Sequence, residues 1–253
     1  MALTGEALRA QFAPSGGGPA VLPVIHVRDK AETRENLRVA EGEGVSGVFL
    51  INHDFGPERF LPIIEAARAA APDLWLGVNF LAEPLAAAAA RLGALAAGGC
   101  RVDGYWADDA RIQERAEAQP AAEESTAAAA AAGWRGLYFG GVAFKKQRPV
   151  AEADWGDAAR RGAAHMDVVT TSGVATGEAA DTGKIARFRD ALGGSALAVA
   201  SGITPENAQA YGAVDAFLVA TGINRPGDFY RIEPERLRAL MAVCARMGER
   251  AHG

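Results

Sequence analysis

Apolar residues fall into short unbroken runs, separated by longer stretches in which they recur every three or four positions. The runs at 21–27, 45–52, 74–80, 102–107, 137–141, 166–171, 196–200 and 214–220 have strand length and little alternation. That is the pattern of parallel strands buried on both faces. The intervening stretches 31–41, 84–97, 121–132, 153–164 and 183–192 predict helices, and Phe60, Ile63, Ile64 and Ala67 mark the buried face of another. Asp29 and Glu32 form a capping-box pattern for the first of these, and Gly42 and Gly44 stop it. Pro62 predicts that the Phe60 helix begins one turn late. A short helix over 1–12 (Leu3, Leu8, Phe12), a flexible joint over 14–19 and a last helix over 233–247 complete the reading. Strand–helix alternation of this kind predicts an α/β fold, a single (β/α)8 TIM barrel. The whole of 1–253 then forms one domain, with 1–19 covering the bottom of the barrel.

The 253 residues match the ~250 of one such barrel. A hydrophobic content of 49% supplies a large core, much of it alanine. The net charge of −5 argues against nucleic acid as a partner. No run reaches the ~18 apolar residues of a membrane span, and the N-terminus has no charged-then-apolar leader, so a cytoplasmic location is expected. Cys100 and Cys244 lack metal-ligand spacing and read as buried thiols in a reducing compartment. No dinucleotide fingerprint follows the first strand, which disfavours a doubly wound sheet.

Barrels of this type carry their chemistry at the C-terminal ends of the strands, often with a phosphate after strands 7 and 8. Strand 7 ends in Ser201-Gly202 and strand 8 in Thr221-Gly222. Thr204 reads as an N-cap and Pro205 as the first residue of a helix, whose N-terminus would face the same anion. Gly173, Thr176 and Gly177 adjoin after strand 6. The competing reading of these glycines is plain turn chemistry. His26 closes strand 1 and is a candidate general acid or base; its structural alternative is a hydrogen-bonded core histidine. Asp108 closes strand 4 in the same candidate role, with Asp109 as a helix cap. Asn52, His53, Asp54 and Asn79 end strands 2 and 3 and are candidates for substrate contact. Lys145 and Lys146 lie in the long loop 142–150, which reads as a lid. Lys145 is the candidate for ligand contact or nucleophilic amine chemistry, against a solvated basic patch. His165 and His252 read as structural and tail residues. No structural metal and no organic cofactor are expected; a magnesium at His26, Asp54 and Asp108, held mainly by substrate phosphate, would leave little trace.

The segments Thr171-Ser-Gly-Val-Ala-Thr-Gly177, Ala200-Ser-Gly-Ile-Thr-Pro-Glu-Asn207 and Ala220-Thr-Gly-Ile223 resemble the BtpA (photosystem I biogenesis protein) family. So do Leu22-Pro-Val-Ile-His26, Phe49-Leu-Ile-Asn-His-Asp-Phe55, Leu76-Gly-Val-Asn-Phe80 and Val142-Ala-Phe-Lys145. Asn52-His53 and the fourth strand differ from that family's segments. The resemblance implies a phosphate-binding barrel. The last quarter is also similar to phosphoribosylanthranilate isomerase, without that family's strand-1 cysteine motif. Two functions are therefore expected. One is an enzyme on a small phosphorylated metabolite, a phosphoribosyl or sugar-phosphate compound, working by isomerase, lyase or glycosyl-transfer chemistry. The other is a non-catalytic, BtpA-like assembly or stability factor, which needs an exposed apolar surface. The oligomeric state is left open, a homodimer being the commonest arrangement.

Overall fold

The computed structural model describes residues 2–12, 17–175, 177–200 and 202–251. Eight strands form a closed barrel in sequence order, every neighbouring pair parallel. They are β1 (Ala20–Val27), β2 (Gly47–Asn52), β3 (Trp75–Phe80), β4 (Gly104–Ala107), β5 (Leu137–Gly141), β6 (Val168–Thr171), β7 (Leu197–Val199) and β8 (Ala216–Val219). The helices are α1 (Gly5–Phe12), α2 (Lys30–Gly42), α3 (Pro57–Ala70), α4 (Leu85–Ala97), α5 (Pro120–Ala131), α6 (Trp155–Gly162), α7 (Thr182–Leu192) and α8 (Pro234–Ala251). This is the (β/α)8 TIM barrel that the hydrophobic runs predict.

The barrel interior is uneven. Phe49, Trp75, Trp106, Phe139 and Phe144 meet edge to face, with ring centroids 5.1–6.0 Å apart, and fill the side built by β2 to β5. The other side holds Ala196, Ala198, Ala200, Ala216 and Ala220 in the same inner cluster. Close packing tolerates few voids, so large rings on one side are matched by small residues on the other. At the mouth end the small side is left open, and the candidate site lies there. The bottom is plugged by α1: Leu8 and Phe12 join the inner cluster, with Phe12 5.0 Å from Trp75.

Three even-numbered strands begin with the same device. Asp103, Asp167 and Asp215 precede β4, β6 and β8, and their carboxylates accept the amides of Leu76, Tyr138 and Leu197 on the preceding strands at 2.8–2.9 Å. These amides belong to the first or second residue of β3, β5 and β7, at the bottom of the barrel, where an N–H without a strand partner needs another acceptor. Asp215 is also the anchor for two cations, Arg9 of α1 and Arg189 of α7.

Four local expectations are corrected. Asp29 does cap α2, accepting from Ala31 and Glu32 at 2.9 Å, but Glu32 does not complete a box, because its carboxylate pairs with Arg28. The helix after β2 begins at Pro57 and carries Pro62 inside it; burial of Phe60, Ile63 and Ile64 along one face outweighs one lost backbone bond. The loop 142–150 is not a free lid in its first half: Val142, Ala143 and Phe144 are buried, and Val142 donates to Thr170 O at 2.8 Å. Among the described residues between β7 and β8 there is no α-helix, only a turn and a four-residue 3-10 segment, Ala208–Tyr211. The joint at 14–19 lies partly outside the described residues.

Replacing Asp215 by asparagine removes the negative partner of two guanidinium groups and should lower stability by about 3 kcal/mol. Urea denaturation followed by circular dichroism measures it; an unchanged midpoint would mean the strand-start carboxylate is dispensable.

Candidate active site at the barrel mouth

The period-2 alternation of a strand decides which side chains reach the barrel axis. His26 is in phase with Val24 and Leu22, Asn79 with Trp75, and Asp108 with Trp106, all on the inner face. Asn52 is out of phase. It points away from the axis, where its amide donates to Phe55 O at 2.5 Å and accepts from Leu81 N at 3.2 Å. Asn52 therefore ties two loops together, and its expected substrate contact is corrected.

His26 is buried, and its Nδ1 lies 2.9 Å from Phe229 O. A carbonyl only accepts, so Nδ1 carries the proton and Nε2 of the neutral ring is left as a base. The ring stacks on Phe229 at 3.8 Å and meets His53 edge-on at 4.7 Å. Burial pulls His26 down to about 4, helped by the positive surroundings of His53, Lys145 and Lys146 against the raising effect of the Phe229 carbonyl. His53 is half-buried, and burial with Lys146 nearby brings it to about 4 as well. Both rings are thus neutral near pH 7, so His26 suits a base better than an acid. Asp54 does not pair with His53; its carboxylate accepts from the Tyr230 hydroxyl at 2.7 Å on the exposed rim.

Asp108 lies deep, accepting from Asn79 Nδ2 at 3.2 Å. Its other oxygen, Asn79 Oδ1, the Trp106 indole N–H and the Thr170 hydroxyl are buried without a protein partner among the described residues. Burial pushes the Asp108 carboxyl up, against the pull of Lys146, Asn79 and Lys145. Lys145 is half-buried; its Nζ donates to Ala200 O at 3.3 Å and its amide to Ser172 Oγ at 2.8 Å. Burial lowers its ammonium to about 8. Lys146 is exposed.

His26, Trp106, Lys145, Gly177, Ala200, Gly202, Ala220 and Thr221 line one small cavity of about 40 Å³. Strands 1, 5, 6, 7 and 8 thus deliver His26, Lys145, Gly177, Gly202 and Thr221 to one place, strand 4 contributes Trp106, and Asp108, Asn79, His53 and Asp54 are not part of this lining. Thr176 and Ser201 lie outside the described residues. Gly173 and Gly222 support the rim from behind: a Cβ at Gly173 would overlap the Glu178 and Ala179 carbonyls, and one at Gly222 the Ile203 carbonyl. Gly202 has φ +65°, and its Cβ would overlap the backbone of Glu178 and Ala179. Among the described residues, the amides of Gly177, Gly202, Thr221 and Gly222 donate to no protein acceptor. The expected helix dipole is absent, however. Thr204 N donates to Asn207 Oδ1 at 2.8 Å and Asn207 Nδ2 to Gly202 O at 2.7 Å, so this turn closes on itself. Any anion here meets loop amides rather than a helix end.

The magnesium trio does not assemble. Asp54 is spent on Tyr230 while Asp108 is buried with Asn79, and no group of three metal-ligating side chains occurs among the described residues. His165 sits at the opposite end, beside Asp167 and Met166. His252 lies outside the described residues. No helix is long and apolar enough to cross a membrane among the described residues.

Sequence reasoning missed three contributors. Phe229 comes from the loop after β8, where Asn224 Nδ2 also donates to Phe229 O and Asn36 binds Tyr230 O, each at 2.8 Å. Lys184 reaches under the β5 and β6 loops. Arg236 holds the Gly222 carbonyl at 2.9 Å. Two adjacent aromatics in a long polar loop were the readable sign of the first; isolated cations gave no sign of the others.

No family model and no curated protein matches this sequence. Solved structures do match in fold. Phosphoribosyl anthranilate isomerase from Thermus thermophilus is 20% identical with a TM-score of 0.58, covering 90% of this chain and 98% of its own. A truncated 3-deoxy-D-arabino-heptulosonate 7-phosphate synthase from Thermotoga maritima is 12% identical with a TM-score of 0.58, over 92% of this chain and 87% of its own. A structure described as native KDPGal is 15% identical with a TM-score of 0.56, over 92% and 95%. At these identities the likeness is one of fold.

The lowered histidines make a pH prediction. Their folded values, about 4, lie below the ordinary 6.5. Between those limits the unfolded chain binds protons that the folded one refuses, so stability is full above about pH 6.5 and falls as pH drops toward 4. The urea midpoint should decline from pH 7 to pH 5, and less steeply in a His26→Gln, His53→Gln double variant. Equal slopes, or the His26 or His53 imidazole titrating near 6.5 by NMR, would contradict the assignment.

Proposed function

We propose that this chain is an enzyme acting on a small phosphorylated metabolite, a phosphoribosyl or other sugar-phosphate compound, by acid–base chemistry. One observation carries the reading. Gly177, Gly202 and Thr221, whose amides meet no protein acceptor among the described residues, line a cavity with an uncharged histidine base and a half-buried lysine. Amides that have no internal acceptor favour a dianion, whose charge they share without a proton. The phosphate would rest on the rim of β6 to β8, and the rest of the substrate would extend inward toward His26, Trp106 and Asp108. The unpartnered buried groups there suit hydroxyl or carbonyl oxygens, since polar groups buried alone are costly. His26 would take a proton through Nε2, and Asp108, held toward its neutral form, would return one. Isomerase, lyase and glycosyl-transfer chemistry all use such a pair. The fold shared with the isomerase and the 7-phosphate synthase is consistent with this reading.

The BtpA-like assembly reading rests on sequence segments alone. It needs an apolar docking surface, and among the described residues Val174 is the one large hydrophobic side chain that stands exposed.

Gly202 is a poor place to test the cradle, because any side chain there collides with Glu178 and Ala179. Thr221 is exposed on the rim. Thr221→Asp puts a like charge beside the phosphate and should weaken ribose 5-phosphate binding by about tenfold or more, about 1.4 kcal/mol. Calorimetry or thermal shift reads this, with Thr221→Ser as the conservative control. Equal affinity in the aspartate variant, or no binding of phosphorylated sugars by the unaltered chain, would sink the reading.

A further inference from the structure

Lys145 is placed unlike a surface lysine. It lines the cavity together with His26, Gly202 and Thr221, and among the described residues the one hydrogen bond of its Nζ goes to a neutral carbonyl, Ala200 O. Among the described residues it forms no ion pair with a carboxylate. Its neighbour Lys146 is exposed.

The backbone that carries it is held at some cost. Ala143 adopts φ +47°, a left-handed conformation that is strained for a residue with a Cβ. The Ala143 carbonyl accepts from the buried Lys184 Nζ at 2.5 Å, and the same Nζ reaches Ser172 O at 3.0 Å. Ser172 Oγ then accepts the Lys145 amide. Lys184 is therefore a positioning residue, clamping the β5 and β6 loops so that Lys145 turns inward. Strain maintained by a buried cation at the mouth of a barrel points to a side chain that must be aimed.

We infer that Lys145 is a condensing amine, and that the phosphorylated substrate carries an aldehyde or ketone group that forms an iminium with its Nζ. This rests on the phosphate-cradle reading above and narrows the substrate class to carbonyl phosphates. The step balances: the ammonium and the carbonyl give the protonated imine and water. A carbon–nitrogen bond forms, the carbon–oxygen bond breaks, and the oxygen leaves with two of the three ammonium protons. His26 Nε2 then removes a proton from the carbon beside the iminium, and the C–H electron pair moves toward nitrogen to give an enamine. Reprotonation and hydrolysis release the carbonyl product and restore Lys145. The lowered ammonium leaves about a tenth of the amine free at pH 7. Asp108, whose charge acts on Lys145, stands by to protonate the departing oxygen.

The test is reductive trapping on the full chain. Dihydroxyacetone phosphate or glyceraldehyde 3-phosphate is added with sodium borohydride, and the digest is mapped by mass spectrometry. The expected result is a reduced adduct on Lys145 that needs both reagents. It should be retained in Lys146→Arg and fall at least about tenfold in Lys145→Arg, which circular dichroism shows to be folded. Glycerol 3-phosphate, which has no carbonyl, reads the cradle separately by thermal shift of the unaltered chain. If glycerol 3-phosphate binds but no adduct forms on Lys145, or adducts scatter over exposed lysines, the condensing amine is overturned and the cradle stands. If neither binding nor adduct is seen, both fall.

Discussion

The mouth of this barrel depends on three loops that touch backbone to backbone. The β7 loop crosses the β6 loop at Gly202, against Glu178 and Ala179, and the β8 loop crosses the β7 loop at Gly222, against Ile203. A Cβ at either crossing would occupy another residue's peptide group. That closeness brings Gly177, Gly202 and Thr221 to one small cavity, and Gly202 also needs its positive φ. The glycines are thus required for packing whether or not a ligand uses them. Under the proposed phosphate reading, the same contacts that forbid a side chain would arrange the donors.

The core beneath explains why the cavity sits on this side. Aromatic rings from β2 to β5 fill one half of the barrel, and alanines line β7 and β8. The loop after β5 then brings Phe144 onto Trp106 and Lys145 across toward Ala200. Lys184 holds that loop from below, and Phe229 covers His26 from above. Each polar group near the axis is surrounded by groups that keep water away, which is why His26, Lys145 and Asp108 all shift toward their neutral forms.

Strand positions were legible in the sequence because a parallel strand buried on both faces leaves a continuous apolar run, and its last polar residue falls at the mouth. His26, Asn79 and Asp108 were found that way. Asn52 was misjudged because parity along a strand is a matter of a single residue, and the run Phe49-Leu-Ile-Asn52 gives no polar alternation to set it. The helix expected from Thr204 and Pro205 was lost to Asn207, whose amide closes the turn on both Thr204 and Gly202. A capping signal shows that a chain can turn, not how far the helix continues afterward. Lys184 and Phe229 were hidden for another reason: each acts through contacts with segments far away in sequence, which local pattern does not encode.

The most direct measurement of the amide cradle is an NMR titration of the 15N-labelled chain with inorganic phosphate. The account predicts saturable shifts confined to the amides of Gly177, Gly202, Thr221 and Gly222 and their immediate neighbours. Shifts concentrated around Asp103, Asp167 and Asp215 at the other end of the barrel, or no saturable shift at the four amides, would contradict it.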